Sequence, residues 1–231
     1  MGTVHKSLRG QLLIASPQLS DYFRRTVVLI IEHTDEGAMG IVLNRPTEAE
    51  VEDVVPSLAE LTDEDDLVYD GGPVEPDSVL ALGDFVDPSE AGKQVAGSLG
   101  LLDPDRPEPD VRRLRVFAGY AGWAPGQLDA EMEQDAWIVT PARPEDAFAP
   151  DDLWRDVVQR KGGKFALMAT MPIDPRLNYG GAGSGPSPWS ARPGRKLRCH
   201  PARSSRRGSW RGTAGGSSPR SRTRPPARSP W

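Results

Sequence analysis

The sequence predicts an α+β fold: one strand-rich domain over residues 1–178, followed by a disordered tail over residues 179–231. Three observations carry this. Val27 to Ile31 are five consecutive aliphatic residues rich in β-branched types, the signature of a strand covered on both faces. Short apolar runs of strand length recur along the body, while two stretches show a clear helical rhythm. Beyond Gly180 the chain is mostly Gly, Pro, Ser and Arg, and Leu197 is its single aliphatic residue larger than alanine. Such a segment cannot bury enough surface to offset chain entropy. A body of about 180 residues buries roughly 70% of its unfolded surface, enough for one core.

Taken in order, "QLLIAS" reads as a short strand ended by Pro17. "RTVVLIIEHT" and "MGIVLNRP" form a hairpin around the bend "TDEGA". In "AEVEDVVPSLAEL", Pro56 divides a helical rhythm into two short turns. "DLVYDGGP" and "SVLALGDF" read as two strands joined by a Gly-Gly-Pro turn, and "RRLRVFAG" as another strand. That strand is expected to lead into a glycine-rich bend over residues 119–127, with Pro125 opening an amphipathic helix through Leu128 and Met132. "AWIVT" is a strand. "DDLWRDVVQRKGG" is a helix with acidic residues at its start, basic residues at its end and a glycine stop, burying Trp154, Val157 and Val158. "FALMATMP" is strand or helix; short apolar runs do not decide between them.

Charge is divided along the chain. All 33 acidic residues and 16 of the 28 basic ones lie in residues 1–179, a net charge of −17; the tail holds the other twelve, eleven Arg and one Lys. The acidic body argues against direct DNA binding, and the tail for nonspecific attraction to polyanions. A genuine basic arm and a GC-rich gene read out of frame both produce the tail's composition. Cys199 is the one cysteine and lies in the tail. No apolar run approaches the ~20 residues of a membrane helix and no secretory pattern is visible, so the expected location is cytoplasmic, with no membrane association.

The search for chemistry yields little. Gly119, Gly122 and Gly126 sit where phosphate-cradling loops occur, but their spacing matches neither a dinucleotide fingerprint nor a Walker loop. Asp129, Glu131 and Glu133 near the start of the following helix occupy the field a phosphate would need. His5 and His33 with no body cysteine cannot assemble a multi-His or Cys metal site, and the carboxylates in Thr62–Asp66 lack calcium-loop spacing, so no metal and no cofactor are expected. Glu32 and His33 are strand neighbours on opposite faces and do not form an acid–base unit. Arg112, Arg113 and Arg115, with Arg24 and Arg25, are expected to make salt links to body carboxylates, or a modest anion patch if the fold gathers them. With no nucleophile elbow or triad spacing, no catalytic residues are assigned and the expectation is a non-enzyme.

Several of these stretches together resemble the YqgE/AlgH family of bacterial proteins: "GQLLIASPQLSDYFRRTVVLIIEHTDEGAMGIVLNRP", "YDGGPVEPDSVLAL", "VFAGYAGWAPGQLDAEMEQDAWIV" and "DLWRDVVQRKGG…LMATMPIDPRLN". The match runs from about Gly10 to Asn178, and family chains end near that point. The resemblance implies antiparallel and mixed sheets forming a pseudo-barrel with flanking helices. One branch is called a transcriptional regulator of alginate production, and no catalytic residues are established to carry over. Signature positions of unknown role are Glu32, His33, Gly71, Gly72, Pro73, Gly119, Gly122 and Gly126. Residue type and position make Arg24, Arg25, Asn44, Tyr120, Trp123 and Gln127 the candidate ligand contacts. The leading functional reading is a non-catalytic regulatory or interaction protein that acts on transcription indirectly through protein partners. The alternative is a small-ligand or nucleotide-binding module built on the bend at 119–127.

Overall fold

Both faces of the aliphatic hairpin are covered in the computed structural model, which describes residues 7–63, 65–105, 109–149 and 152–171. The tail, with its polyanion reading, lies outside the described residues. Strand β1 (Gln11–Ala15) pairs antiparallel with β2 (Val27–Thr34), which turns at Asp35–Glu36 into β3 (Gly37–Val42). Alternate side chains enter two separate cores. Leu12, Leu29, Ile31 and Ile41 join Leu153, Trp154, Val157 and Val158 on one face. Leu13, Val28, Ile30 and Val42 join Leu19, Phe23, Trp123 and Leu128 on the other. A five-residue aliphatic run without a polar alternate is what this two-sided burial requires.

The chain continues through β4 (Pro46–Glu50), α1 (Val51–Val54), a 3₁₀ turn at Pro56–Leu61, β5 (Leu67–Asp70) and β6 (Val74–Phe85). Then come β7 (Lys93–Ala96), β8 (Leu99–Leu101), β9 (Val111–Trp123), α2 (Gln127–Glu133), β10 (Trp137–Pro141) and α3 (Leu153–Lys161). The ambiguous "FALMATMP" is resolved as a 3₁₀ helix, Gly163–Thr170. Among the described residues the ten strands form one sheet in the order β10-β1-β2-β3-β9-β6-β8-β7, with β5 and β4 attached at β9. Every pairing is antiparallel except β5 with β9.

Long β9 is the hub. Its middle pairs with β5 at Phe117 and Ala118, and its last part with β3 at Ala121 to Trp123, while β6 runs along its other edge. Hence β5 and β6 are not neighbours joined by a tight turn, as their sequence suggested. The Gly-Gly-Pro segment carries the chain over β9, from one edge to the other.

The sheet curls far enough for its far edge to meet its beginning. Lys93 on β7 pairs with Glu32 on β2 at 2.6 Å, and Arg9 donates to the carbonyl of Gln94. A Cβ at Gly10, just before β1, would stand 3.0 Å from the carbonyl oxygen of Val95. This is the α+β curled sheet that the resemblance implied. Helix α3 closes the inner face, anchored by the Trp154 indole N–H donating to the carbonyl of Ala15 at 2.9 Å. None of the described helices is long and apolar enough to cross a membrane.

Candidate functional site

The two glycine motifs of the sequence meet at the crossing over β9. A Cβ on Gly71 would lie 2.4 Å from the carbonyl oxygen of Gly119, and one on Gly119 would lie 2.5 Å from that of Gly72. The Gly71 N–H donates to Ala118 (2.8 Å) and its carbonyl accepts from Val42 (2.9 Å), so the crossing segment is stitched to β9 and β3. Gly119 has φ +70° where β9 exchanges β5 for β3. These glycines are therefore filled by neighbouring backbone, with Pro73 leading into β6. Gly119 and Gly122 lie inside β9, correcting the expected bend over 119–127. The turn itself is Ala124–Gly126, and α2 starts at Gln127 rather than at Pro125.

Trp123 ends β9 within an aromatic cluster. Its ring lies 6.2 Å from Phe23, stacked, and 6.0 Å edge-on from Trp137; Phe23 meets Trp137 edge-on at 5.5 Å. Beneath the rings lies Glu131, 7% exposed. Its Oε2 accepts the indole N–H groups of Trp123 (2.9 Å) and Trp137 (2.8 Å), and its Oε1 accepts the amide of Gln127 (3.0 Å). Gln127 Oε1 in turn accepts the Ala124 N–H at 3.1 Å. Sequence reasoning placed Glu131 with Asp129 and Glu133 in the field near the start of the helix. The signal it passed over is spacing: Glu131 follows Leu128 by three and Gln127 by four, which puts it on the apolar stripe.

Arg25 and Asn44 meet at a strained position. Arg25 has φ +54°, a left-handed conformation that costs an arginine about 1–2 kcal/mol. Asn44 braces it: its Nδ2 donates to the Arg25 carbonyl at 2.9 Å while its Oδ1 accepts the Val27 N–H at 2.9 Å. The Arg25 guanidinium lies 4.7 Å over the Trp154 ring and donates to the carbonyl of Met171. Burial, then the guanidiniums of Arg24 and Arg155, pull Arg25 below the usual guanidinium range; Asp152 opposes them less. Nearby in sequence, Tyr22 donates to Asp70 Oδ1 at 2.5 Å, with Arg45 4.5 Å over its ring. Burial and this hydrogen bond raise the Tyr22 phenol well above its ordinary range.

The remaining candidates separate. Tyr120 pairs with Val74 across β9 and β6; burial, then the charge of Glu75, raises its phenol. Glu32 faces Lys93, whereas His33 Nδ1 accepts the Leu8 N–H at 3.2 Å. Arg112 and Arg113 both reach the buried Asp84, at 3.2 and 3.4 Å, as the salt-link expectation had it. Burial pushes the Asp84 carboxyl up, but Ser98 and these two guanidiniums outweigh it and hold it below the usual carboxylate range. Arg115 lies 4.2 Å over Tyr69 and 5.8 Å from Phe148, and donates to the carbonyl of Ala149 at 3.3 Å.

The sequence and this architecture have counterparts. The AlgH-like family model matches residues 12–166. The chain belongs to the AlgH-like family. A UPF0301 protein of Streptomyces coelicolor is 45% identical over 187 residues, covering 74% of this chain and 96% of its own. One from Thermobifida fusca is 43% identical over 191 residues, with the same coverage of both chains. Among solved structures, a protein from Corynebacterium diphtheriae matches this AlgH-like chain with a TM-score of 0.66 at 34% identity, covering 74% of this chain and 95% of that one. The solution structure of the AlgH protein from Pseudomonas aeruginosa matches with a TM-score of 0.54 at 28% identity, covering 74% and 98%.

Proposed function

We propose that this AlgH-like protein is a non-catalytic cytoplasmic interaction protein that affects transcription indirectly, through contacts with protein partners. The observation that carries the reading is where the family-signature side chains go. Trp123, Gln127 and Asn44 are engaged with internal partners that hold the sheet, its crossing and its strained loop in place. A signature built this way supports a scaffold whose outer surface does the work, and the regulatory label of one family branch agrees with it.

The body's net charge of −17 sets the expectation for DNA. A full-length chain titrated onto a duplex should bind weakly and without sequence preference, the affinity falling by about tenfold or more from 50 to 200 mM salt. Fluorescence anisotropy across that salt range is the test. Sequence-selective binding that survives physiological salt would replace the indirect reading with direct regulation.

A further inference from the structure

We propose that the 3₁₀ helix Gly163–Thr170 is a contact surface for a second copy of this chain, and that it meets the acidic helix α1 of that copy. The transcription reading above stands or falls without it.

In a 3₁₀ helix, residues three apart eclipse one another. Lys164, Leu167 and Thr170 therefore form one outward row, and all three are exposed. Leu167 is 74% exposed, the most of any large apolar side chain among the described residues, and Met171 continues the apolar surface at 37%. Leu167 cannot turn inward, because the helix is held from its other sides. Phe165 and Met168 pack on the core that α3 closes, and Ala169 is buried in it. Arg155 Nε donates to the carbonyl of Ala169 at 3.1 Å, and Arg25 to that of Met171. These carbonyls lie at a helix end, where no further turn satisfies them.

The charge beside this row is opposite to that of the body. Lys164 holds its ammonium 5.1 Å over the Phe165 ring, and Lys161, exposed at the end of α3, donates to the carbonyl of Val139 at 2.7 Å. Neither lysine has an ion pair among the described residues. Two ammonium groups near an exposed leucine complement an apolar side chain set among carboxylates. Helix α1 presents one. It turns Val51 into the core and Val54 outward, 46% exposed, beside the exposed Glu50, Glu52 and Asp53. From Pro46 to Asp66 the chain carries nine carboxylates and no lysine or arginine.

The two surfaces cannot meet within one chain. Helix α1 packs with Val68 and Val116, whereas the 3₁₀ helix packs in the core that holds Phe117. Val116 and Phe117 are neighbours on β9 and so face opposite sides of the sheet. The contact therefore runs head to tail from one copy to the next, and either closes a ring or extends as a chain.

Sedimentation velocity of the full-length chain, over a concentration series reaching about 0.5 mM, is the test, since two small patches make a transient contact. The parent is expected to grow beyond a dimer as its concentration rises. Two variants each remove one surface: Lys164→Glu with Leu167→Ser on the 3₁₀ helix, and Glu52→Lys with Val54→Ser on α1. All four side chains are exposed, so both variants should melt at the parental temperature. Each alone is expected to associate about tenfold more weakly or worse. Mixed together, they retain one intact surface apiece and should form a dimer that grows no further. A parent that stays monomeric, association unchanged in both variants, or a mixture that fails to pair overturns the proposal. Loss in the α1 variant alone also overturns it, and assigns the association to the basic tail.

Discussion

Gly72→Ala is expected to cost about 4 kcal/mol or more, enough to unfold most domains of this size. At φ +153° a Cβ on residue 72 would lie 2.0 Å from the carbonyl carbon of Tyr120, 2.2 Å from its oxygen and 2.3 Å from the Ala121 nitrogen. These atoms belong to the backbone of β9, which is held by β3 on one edge and β6 on the other, so they cannot swing aside as a side-chain end would. Gly126→Ala is the matched control. It too has positive φ, +72°, but nothing lies within 4 Å of the added carbon. Its cost should be the backbone term alone, about 1 kcal/mol. Urea denaturation of both variants checks the order; similar midpoints would show that the crossing yields.

Glu131→Ala should be the most damaging single change among the polar side chains described above. It removes the acceptor for two buried indole N–H groups and for Gln127, and leaves a void under the aromatic cluster. An unsatisfied buried donor costs about 1–3 kcal/mol, so the expected loss is about 4 kcal/mol. Glu131→Gln should lose far less. Both indoles bond to the same oxygen, Oε2, and an amide oxygen can accept both. What the amide cannot do is accept from Gln127 without one of the two side chains turning over. Thermal unfolding together with the two indole N–H resonances separates these cases. Glutamine and alanine variants of equal stability would mean that the carboxyl group is not what holds the rings.

How much of this was legible in the sequence follows from the range over which each feature is set. The β2–β3 hairpin was readable because five aliphatics without a polar alternate admit few other environments. Helix α3 was readable from its ends and its buried stripe. The hairpin of β7 and β8 was not anticipated, since strands of four and three residues carry no apolar run of their own. In β9, Gly119 and Gly122 looked like chain breakers. They lie inside a thirteen-residue strand, and Gly119 is there because another segment of backbone passes against it. Close approach between distant segments leaves a glycine in the sequence but no sign of what approaches. The same holds for Trp154, whose buried place on its helix gave no sign that the Arg25 guanidinium would lie 4.7 Å over its ring. Of the candidate contacts, Trp123 and Gln127 come together in the fold through hydrogen bonds to one carboxylate. Their shared partner, Glu131, was hidden among other carboxylates.

The central claim is that the glycine–tryptophan signature holds the sheet together rather than facing a ligand. Thermal unfolding of Trp123→Ala tests it most directly. The ring packs on Phe23 and Trp137 and its N–H is bonded to Glu131, so its loss should cost about 3–5 kcal/mol and lower the melting temperature by about 10 °C. A variant that melts within about 2 °C of the parent, with its near-ultraviolet spectrum otherwise retained, would contradict the claim and return Trp123 to the role of a binding residue.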